Sequence, residues 1–98
     1  MSAESTPPEL LQVRDQIDAI DEQLVALLAQ RFDLTHRVGL LKADKELSSL
    51  DSSREAEKLA RLTELCESRG LNADLVRELF SRIMQEVVQN HDKLRQAQ

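Results

Sequence analysis

The feature that most constrains this chain is a series of apolar residues spaced alternately three and four positions apart. Its members are Leu10, Val13, Ile17, Ile20, Leu24, Leu27, Leu34, Val38 and Leu41. Arg31 fills the one place where the spacing would otherwise break. Such a series is typical of an α-helix that packs a continuous apolar seam against another helix. It predicts a first helix from Pro8 to about Ala43, roughly 50 Å long at ~1.5 Å per residue.

The composition favours an all-α fold and excludes several classes of protein. Aromatic residues make up 2% of the 98 residues, and there are two glycines and two prolines, too few for the turns and filling of a β-sandwich. The net charge of −5 argues against a nucleic acid as partner. No apolar run approaches the ~18 residues of a membrane span, so we expect no membrane partner. The lone Cys66 favours the cytoplasm, and one cysteine with two histidines predicts no zinc or iron–sulfur site.

Two shorter helices are predicted after the seam. The polar residues 44–50 interrupt the periodicity, and Ser52 followed by Glu55 matches a capping box that would begin the second helix. Gly70 stands where a left-handed residue would end that helix. Asn72 is a good N-cap for the third helix. The prediction is therefore an all-α chain with one long and two shorter helices.

We expect a disordered tail at residues 1–8 and one helical domain at residues 9–96. The apolar seam also predicts how this domain associates with a second copy. Two short helices cannot cover an apolar seam of this length, so we predict an intertwined homodimer in which the first helices of two chains pack together. A helical dimerisation module without enzymatic activity would satisfy the same pattern.

Cationic residues interrupt or approach the seam. Arg31 occupies a place that the pattern assigns to Leu or Ile, and a buried guanidinium is costly without an anion. Lys42 lies three helical turns later on the same face. Arg14 lies ~25 Å from Arg31 along one helix but opposite it in an antiparallel dimer. These positions predict two equivalent pockets for a small anion. The competing interpretation is an ion pair between Arg31 and an acid such as Glu55 or Asp51.

Four motifs together carry a family resemblance. They are VRDQIDAIDEQLVALLAQR at residues 13–31, VGLLK ending at Lys42, DSSRE at Asp51–Glu55 and LFSRIMQE at Leu79–Glu86. Their joint spacing resembles the all-helical, AroQ-type chorismate mutases over residues 9 to about 92. The resemblance implies a domain-swapped all-α homodimer. It also implies an isomerase that rearranges chorismate to prephenate, for phenylalanine and tyrosine synthesis, without cofactor or covalent intermediate.

The resemblance further implies how a dianionic small-molecule substrate is bound. Arg31 would hold one carboxylate from its own chain, and Arg14 would hold another from the partner chain. Two guanidinium forks of this kind select the folded conformer that reacts. Arg54 would complete the positive pocket.

The remaining site residues implied by the resemblance include two departures from the family pattern. Lys42 would stabilise the charge that develops on the ether oxygen as the C–O bond breaks. Asp51 and Glu55 would accept hydrogen bonds from the ring hydroxyl, although helix capping is a competing role for Asp51. Val87 and His91 stand where the family commonly has Ser and Gln or Glu. Val87 cannot donate a hydrogen bond and is alternatively a packing residue; His91 is either a replacement donor or a surface histidine near the helix end.

These departures leave the substrate open between chorismate and a relative. A 4-amino-4-deoxychorismate mutase or an isochorismate–pyruvate lyase would use the same scaffold. An amino group would sit comfortably beside Asp51 and Glu55. His36 and Gly39 have no assigned role, although a glycine would permit close approach of a second helix. Cys66 has no role assigned beyond filling the apolar stripe of the second helix.

Overall fold

The computed structural model describes residues 6–48 and 50–97, and all the regular structure within them is helical. Helix α1 spans Pro8–Asp44, α2 spans Ser52–Arg69 and α3 spans Ala73–Gln96. The prediction of one long helix followed by two shorter ones is confirmed. Residues 1–5 of the predicted tail lie outside the described residues, and Pro8 is already the first residue of α1. No helix among the described residues is both long and apolar enough to span a membrane.

The chain divides into two compact units, residues 1–33 and residues 34–98. The described part of the first unit consists mainly of the N-terminal portion of α1, and its seam is uncovered. Ile20 is 55% exposed and Leu24 is 53% exposed. The same holds for the other large apolar side chains of this portion: Leu10, Leu11, Val13, Ile17, Val25, Leu27 and Leu28.

The second unit contains the C-terminal end of α1 together with α2 and α3, which pack against each other. All three helices supply buried apolar residues to its core: Ala43 from α1, Cys66 from α2, and Ile83 and Met84 from α3. Cys66 is a free thiol within this core. Cys66 therefore places one face of α2 toward the inside of the unit.

Helix α1 ends in a Schellman motif, which the sequence pattern did not reveal. The Leu47 N–H donates to the Lys42 carbonyl at 2.7 Å, and the Glu46 N–H donates to the Ala43 carbonyl at 3.2 Å. Between them Glu46 adopts a left-handed conformation with φ of 56°. Glycine usually occupies this position because any Cβ is crowded there. The turn nevertheless ends the helix at Asp44, two residues after Lys42.

The caps of α2 and α3 agree with the sequence prediction at two positions and correct it at a third. Gly70 ends α2 in the left-handed region with φ of 69°, and the side chain of Asn72 accepts from the Asp74 N–H at 3.0 Å to begin α3. The capping box of Ser52 and Glu55 is wrong, because Ser52 is already helical and Asp51 is the N-cap. A carboxylate caps as effectively as a hydroxyl, so the helix begins one residue earlier than the Ser pattern indicates.

Candidate functional site

His91 lies in the interior of the second unit and not on its surface. It is 3% exposed, so the interpretation of a surface histidine is wrong. Its Nε2 lies 2.8 Å from the carbonyl oxygen of Thr35, which is on α1. A carbonyl oxygen can only accept, so His91 is the donor in this bond. The bond ties the end of α3 to the C-terminal part of α1.

Gly39 provides the space for the His91 ring. A Cβ at residue 39 would lie 2.5 Å from Cδ2 of His91 and 2.8 Å from Cδ1 of Leu94. Real Cβ atoms do not make contacts as short as the first of these. Gly39 therefore permits close approach of α3 to α1, which gives a role to a residue that the sequence left unassigned.

Lys42 lies at the end of α1 and Asp51 and Arg54 lie at the start of α2, on the two sides of one short turn. We call these three residues the electrostatic cluster, because the two cations act on the Asp51 carboxyl. Hydrogen bonds from the Arg54 N–H at 3.1 Å and the Ser53 hydroxyl at 3.0 Å lower the pKa of the Asp51 carboxyl below its usual value. The positive charges of Lys42 and Arg54 lower that pKa further. Asp51 is thus the N-cap of α2, and its capping role is observed directly.

Glu55 and Val87 are half-buried members of the same unit. Glu55 follows Arg54 on the first turn of α2, where its N–H donates to the Asp51 carbonyl at 3.0 Å. Val87 is one turn before His91 on α3 and offers no hydrogen-bonding group. Lys42 is also half-buried, and it lies one turn beyond Gly39 on α1. The second unit thus contains six of the eight residues singled out from the sequence.

Arg14 and Arg31 lie in the first unit. Arg14 is exposed, whereas Arg31 is half-buried and its Nη1 atom is shielded from solvent. Seventeen residues of α1 separate them, or ~25 Å at the rise of an α-helix. One small ligand cannot contact both guanidinium groups of a single chain.

Sequence reasoning missed the contribution of Thr35 to this region. Thr35 acts through its backbone carbonyl, and 56 residues separate it from its partner in the chain. The available signal was Gly39, since a glycine inside a helix that does not need a positive φ indicates close approach of another element. The pattern does not identify His91 as the residue that approaches.

Comparison with known proteins identifies relatives of nearly the whole chain. Residues 13–92 match the family model for chorismate mutase type II, which agrees with the resemblance carried by the four motifs. The chain is 38% identical over 78 residues to the T-protein of Enterobacter agglomerans, which covers 80% of this chain and 21% of that protein. It is 37% identical over 87 residues to the bifunctional chorismate mutase/prephenate dehydratase of Escherichia coli K12. This match covers 89% of this chain and 22% of that protein. The chain thus spans about a fifth of the length of these relatives.

Proposed function

This chain belongs to the chorismate mutase type II family, and on that premise we propose that it is an isomerase that converts chorismate to prephenate. In this reaction one C–O bond of the substrate breaks while a C–C bond forms within the same molecule. No proton or group has to leave, so the protein needs only to fold the substrate and stabilise the charge that develops. The product would enter phenylalanine and tyrosine synthesis. A cytoplasmic location is part of the proposal, because Cys66 is a free thiol.

The observation that carries the proposal is the cluster of Lys42, Asp51 and Arg54. The ammonium of Lys42 would stabilise negative charge on the ether oxygen as the C–O bond breaks. This interaction is stronger in the transition state than in the ground state, which is the requirement for catalysis. The Schellman motif that follows Lys42 fixes the backbone at this point. Asp51 and Glu55 would accept from the ring hydroxyl, because an ionised carboxylate is an acceptor only.

Binding of the two substrate carboxylates is proposed to require a homodimer. Arg31 would bind one carboxylate, and Arg14 of the partner subunit would bind the other. Two observations support this division. The guanidinium groups of one chain are too far apart for a shared ligand, and the apolar seam of α1 is exposed in the single chain. An exposed apolar surface of this extent favours association with a second copy.

A second candidate substrate is an amino relative of chorismate. Val87 removes one hydrogen-bond donor from the position where the family commonly has Ser, and Asp51 and Glu55 place two carboxyl groups at the start of α2. An ammonium group on the ring would pair with Asp51 and Glu55 more strongly than a hydroxyl does. Isochorismate is the third substrate that the scaffold would accept.

The test is to incubate the purified chain separately with chorismate, 4-amino-4-deoxychorismate and isochorismate, and to identify the products. We expect prephenate from chorismate at the highest kcat/KM. Lys42→Gln should abolish most of this activity, whereas Lys45→Gln, a matched change in an exposed lysine three residues later, should not. If the protein converts only 4-amino-4-deoxychorismate, that compound and not chorismate is its substrate. No turnover of any of the three would leave the helical dimerisation module as the better interpretation.

A further inference from the structure

We propose that the Thr35 carbonyl and Gly39 are positioning elements that hold His91 in one tautomer and leave Nδ1 as its only nitrogen available to a ligand. The ligand part of this inference rests on the proposed function, whereas the tautomer part does not. Neither Thr35 nor Gly39 belongs to the set of residues singled out as ligand contacts.

The tautomer follows from the hydrogen bond with Thr35. The Thr35 oxygen lies 2.8 Å from Nε2 and, as a carbonyl, must receive a proton from it. A neutral imidazole carries one N–H, so this bond places the proton on Nε2 and a lone pair on Nδ1. Nε2 is thereby committed to the contact between α1 and α3.

The ring orientation follows from Gly39. Cδ2 and Nε2 are adjacent ring atoms, and both lie within 3.0 Å of where a Cβ of residue 39 would be. The edge of the ring that carries Nε2 therefore faces α1. Any larger residue at position 39 would push this edge away and break the bond with Thr35. Thr35 and Gly39 are four residues apart, so they lie one turn apart on the same face of α1.

Nδ1 of His91 is the ring nitrogen that takes no part in the bond with Thr35. It is shielded from solvent and has no hydrogen-bond partner among the described residues. A buried polar atom without a partner is costly, and in a native protein it indicates a water or ligand contact. Lys42 continues the face of Thr35 and Gly39 by one further turn, and Val87 lies one turn from His91 on α3. Lys42 and Val87 are both residues of the candidate site.

The consequence concerns what His91 can do for a ligand. The neutral ring accepts a hydrogen bond at Nδ1, and the protonated ring donates one there; in neither state does Nε2 contact the ligand. A glutamine at this position would present its N–H donors without such a restriction. His91 therefore contacts the ligand through Nδ1 alone, because the Thr35 carbonyl of α1 occupies Nε2.

The tautomer is measured by NMR on protein labelled with ¹⁵N-histidine. The chain has two histidines, so the His36→Gln variant, changed at an exposed residue, gives imidazole signals from His91 alone. With the ring neutral, we expect the chemical shift of an N–H nitrogen at Nε2 and that of a bare nitrogen at Nδ1. The opposite assignment, or an average of the two, would overturn the inference.

Gly39→Ala in the same background tests the positioning role. We expect the two nitrogen signals to move toward each other as the ring leaves Thr35, while circular dichroism verifies that the helices remain. Retention of the fixed tautomer in Gly39→Ala would exclude Gly39 from this role. If that variant does not fold, the spectrum of the His36→Gln protein still decides the tautomer.

A bicyclic dicarboxylate that mimics the transition state tests the ligand contact. On binding, verified by calorimetry, we expect the Nδ1 signal to shift while Nε2 keeps its proton. Binding without a shift at Nδ1 would overturn the ligand contact and leave the proposed function intact. Absence of binding would overturn both the proposed function and the ligand contact. The tautomer would still be decided, because it is measured on the free protein.

Discussion

His91 on α3 lies against Gly39 on α1 so closely that a Cβ at residue 39 would stand 2.5 Å from Cδ2 of His91. Gly39→Ala is therefore expected to lower the free energy of unfolding by ~1–3 kcal/mol, the usual cost of overpacking a filled site. Helix propensity alone predicts the opposite sign, a gain of ~1 kcal/mol from replacing a helical glycine by alanine. Urea unfolding of the two proteins measures the difference.

The matched control for this prediction is the same substitution in a His91→Ala background. Removing the ring leaves space for the new methyl group, so Gly39→Ala should cost less there than in the natural sequence. Equal costs in the two backgrounds would show that the ring and residue 39 are not coupled.

Asp51 is expected to stabilise α2 in a pH-dependent manner. Its pKa in the folded protein is lowered, chiefly by the hydrogen bond from the Arg54 N–H, from the ordinary value of 3.8. The carboxylate therefore contributes its full stability above pH 3.8, and this contribution is lost as the pH falls through the folded-state pKa. Asp51→Asn retains an oxygen that can cap the helix, so it should be less stable than the natural protein near neutral pH but not in acid.

Unfolding of the Asp51 variants at neutral and acidic pH checks this prediction. Asp51→Ala, which loses the cap altogether, should be less stable than Asp51→Asn at both pH values. A stability difference between the natural protein and Asp51→Asn that does not vary with pH would contradict the assignment of an ionised cap.

Glu46 offers a stability prediction that is independent of the candidate site. It holds the left-handed position of the Schellman motif with φ of 56°. Glu46→Gly should relieve the crowding of the Cβ, and the greater freedom of glycine in the unfolded chain offsets part of the gain. We expect a net increase of up to ~1 kcal/mol in the free energy of unfolding. Glu46→Ala, which keeps the Cβ and removes only the charge, is the control and should not show this increase.

Lys42 is expected to act on kcat more than on KM. If its ammonium stabilises charge that develops only in the transition state, Lys42→Gln should lower kcat by ~10²–10³-fold. Steady-state kinetics with chorismate separates the two constants, and Lys45→Gln serves as the control for a general loss of positive charge. A rise in KM with kcat unchanged would instead identify Lys42 as a residue that only binds the ground state.

The helices were predictable because their signals are local. The alternation of three and four in α1, the left-handed Gly70 and the N-cap Asn72 each act within a few residues of the chain. The one error is local too, since Asp51 caps α2 in place of Ser52. The end of α1 was also hard to recognise, because Glu46 occupies a left-handed position where glycine is usual. In both places several polar residues compete for one role, and the pattern does not rank them.

The candidate site was only partly predictable because some of its contacts join distant parts of the chain. Lys42, Asp51 and Arg54 flank one short connection, so their closeness along the chain follows from sequence spacing once the motifs are aligned. The contact of His91 with Thr35 and Gly39 depends on how α3 packs on α1. Gly39 indicates that some element approaches α1, but no local pattern in either helix identifies α3 or His91 as that element. A histidine near the end of its helix is ordinarily exposed, whereas His91 is 3% exposed.

Arg14 and Arg31 from different chains are proposed to bind one ligand, and complementation in trans tests this shared site directly. Arg14→Ala and Arg31→Ala should each be inactive alone, because every site then lacks one guanidinium. In a heterodimer of the two variants both defects fall in one site and the other site is intact. Prephenate formation should therefore return on mixing, to about a quarter of the natural activity per chain if subunits pair at random. Heterodimers verified by mass spectrometry that form no prephenate would contradict the shared site.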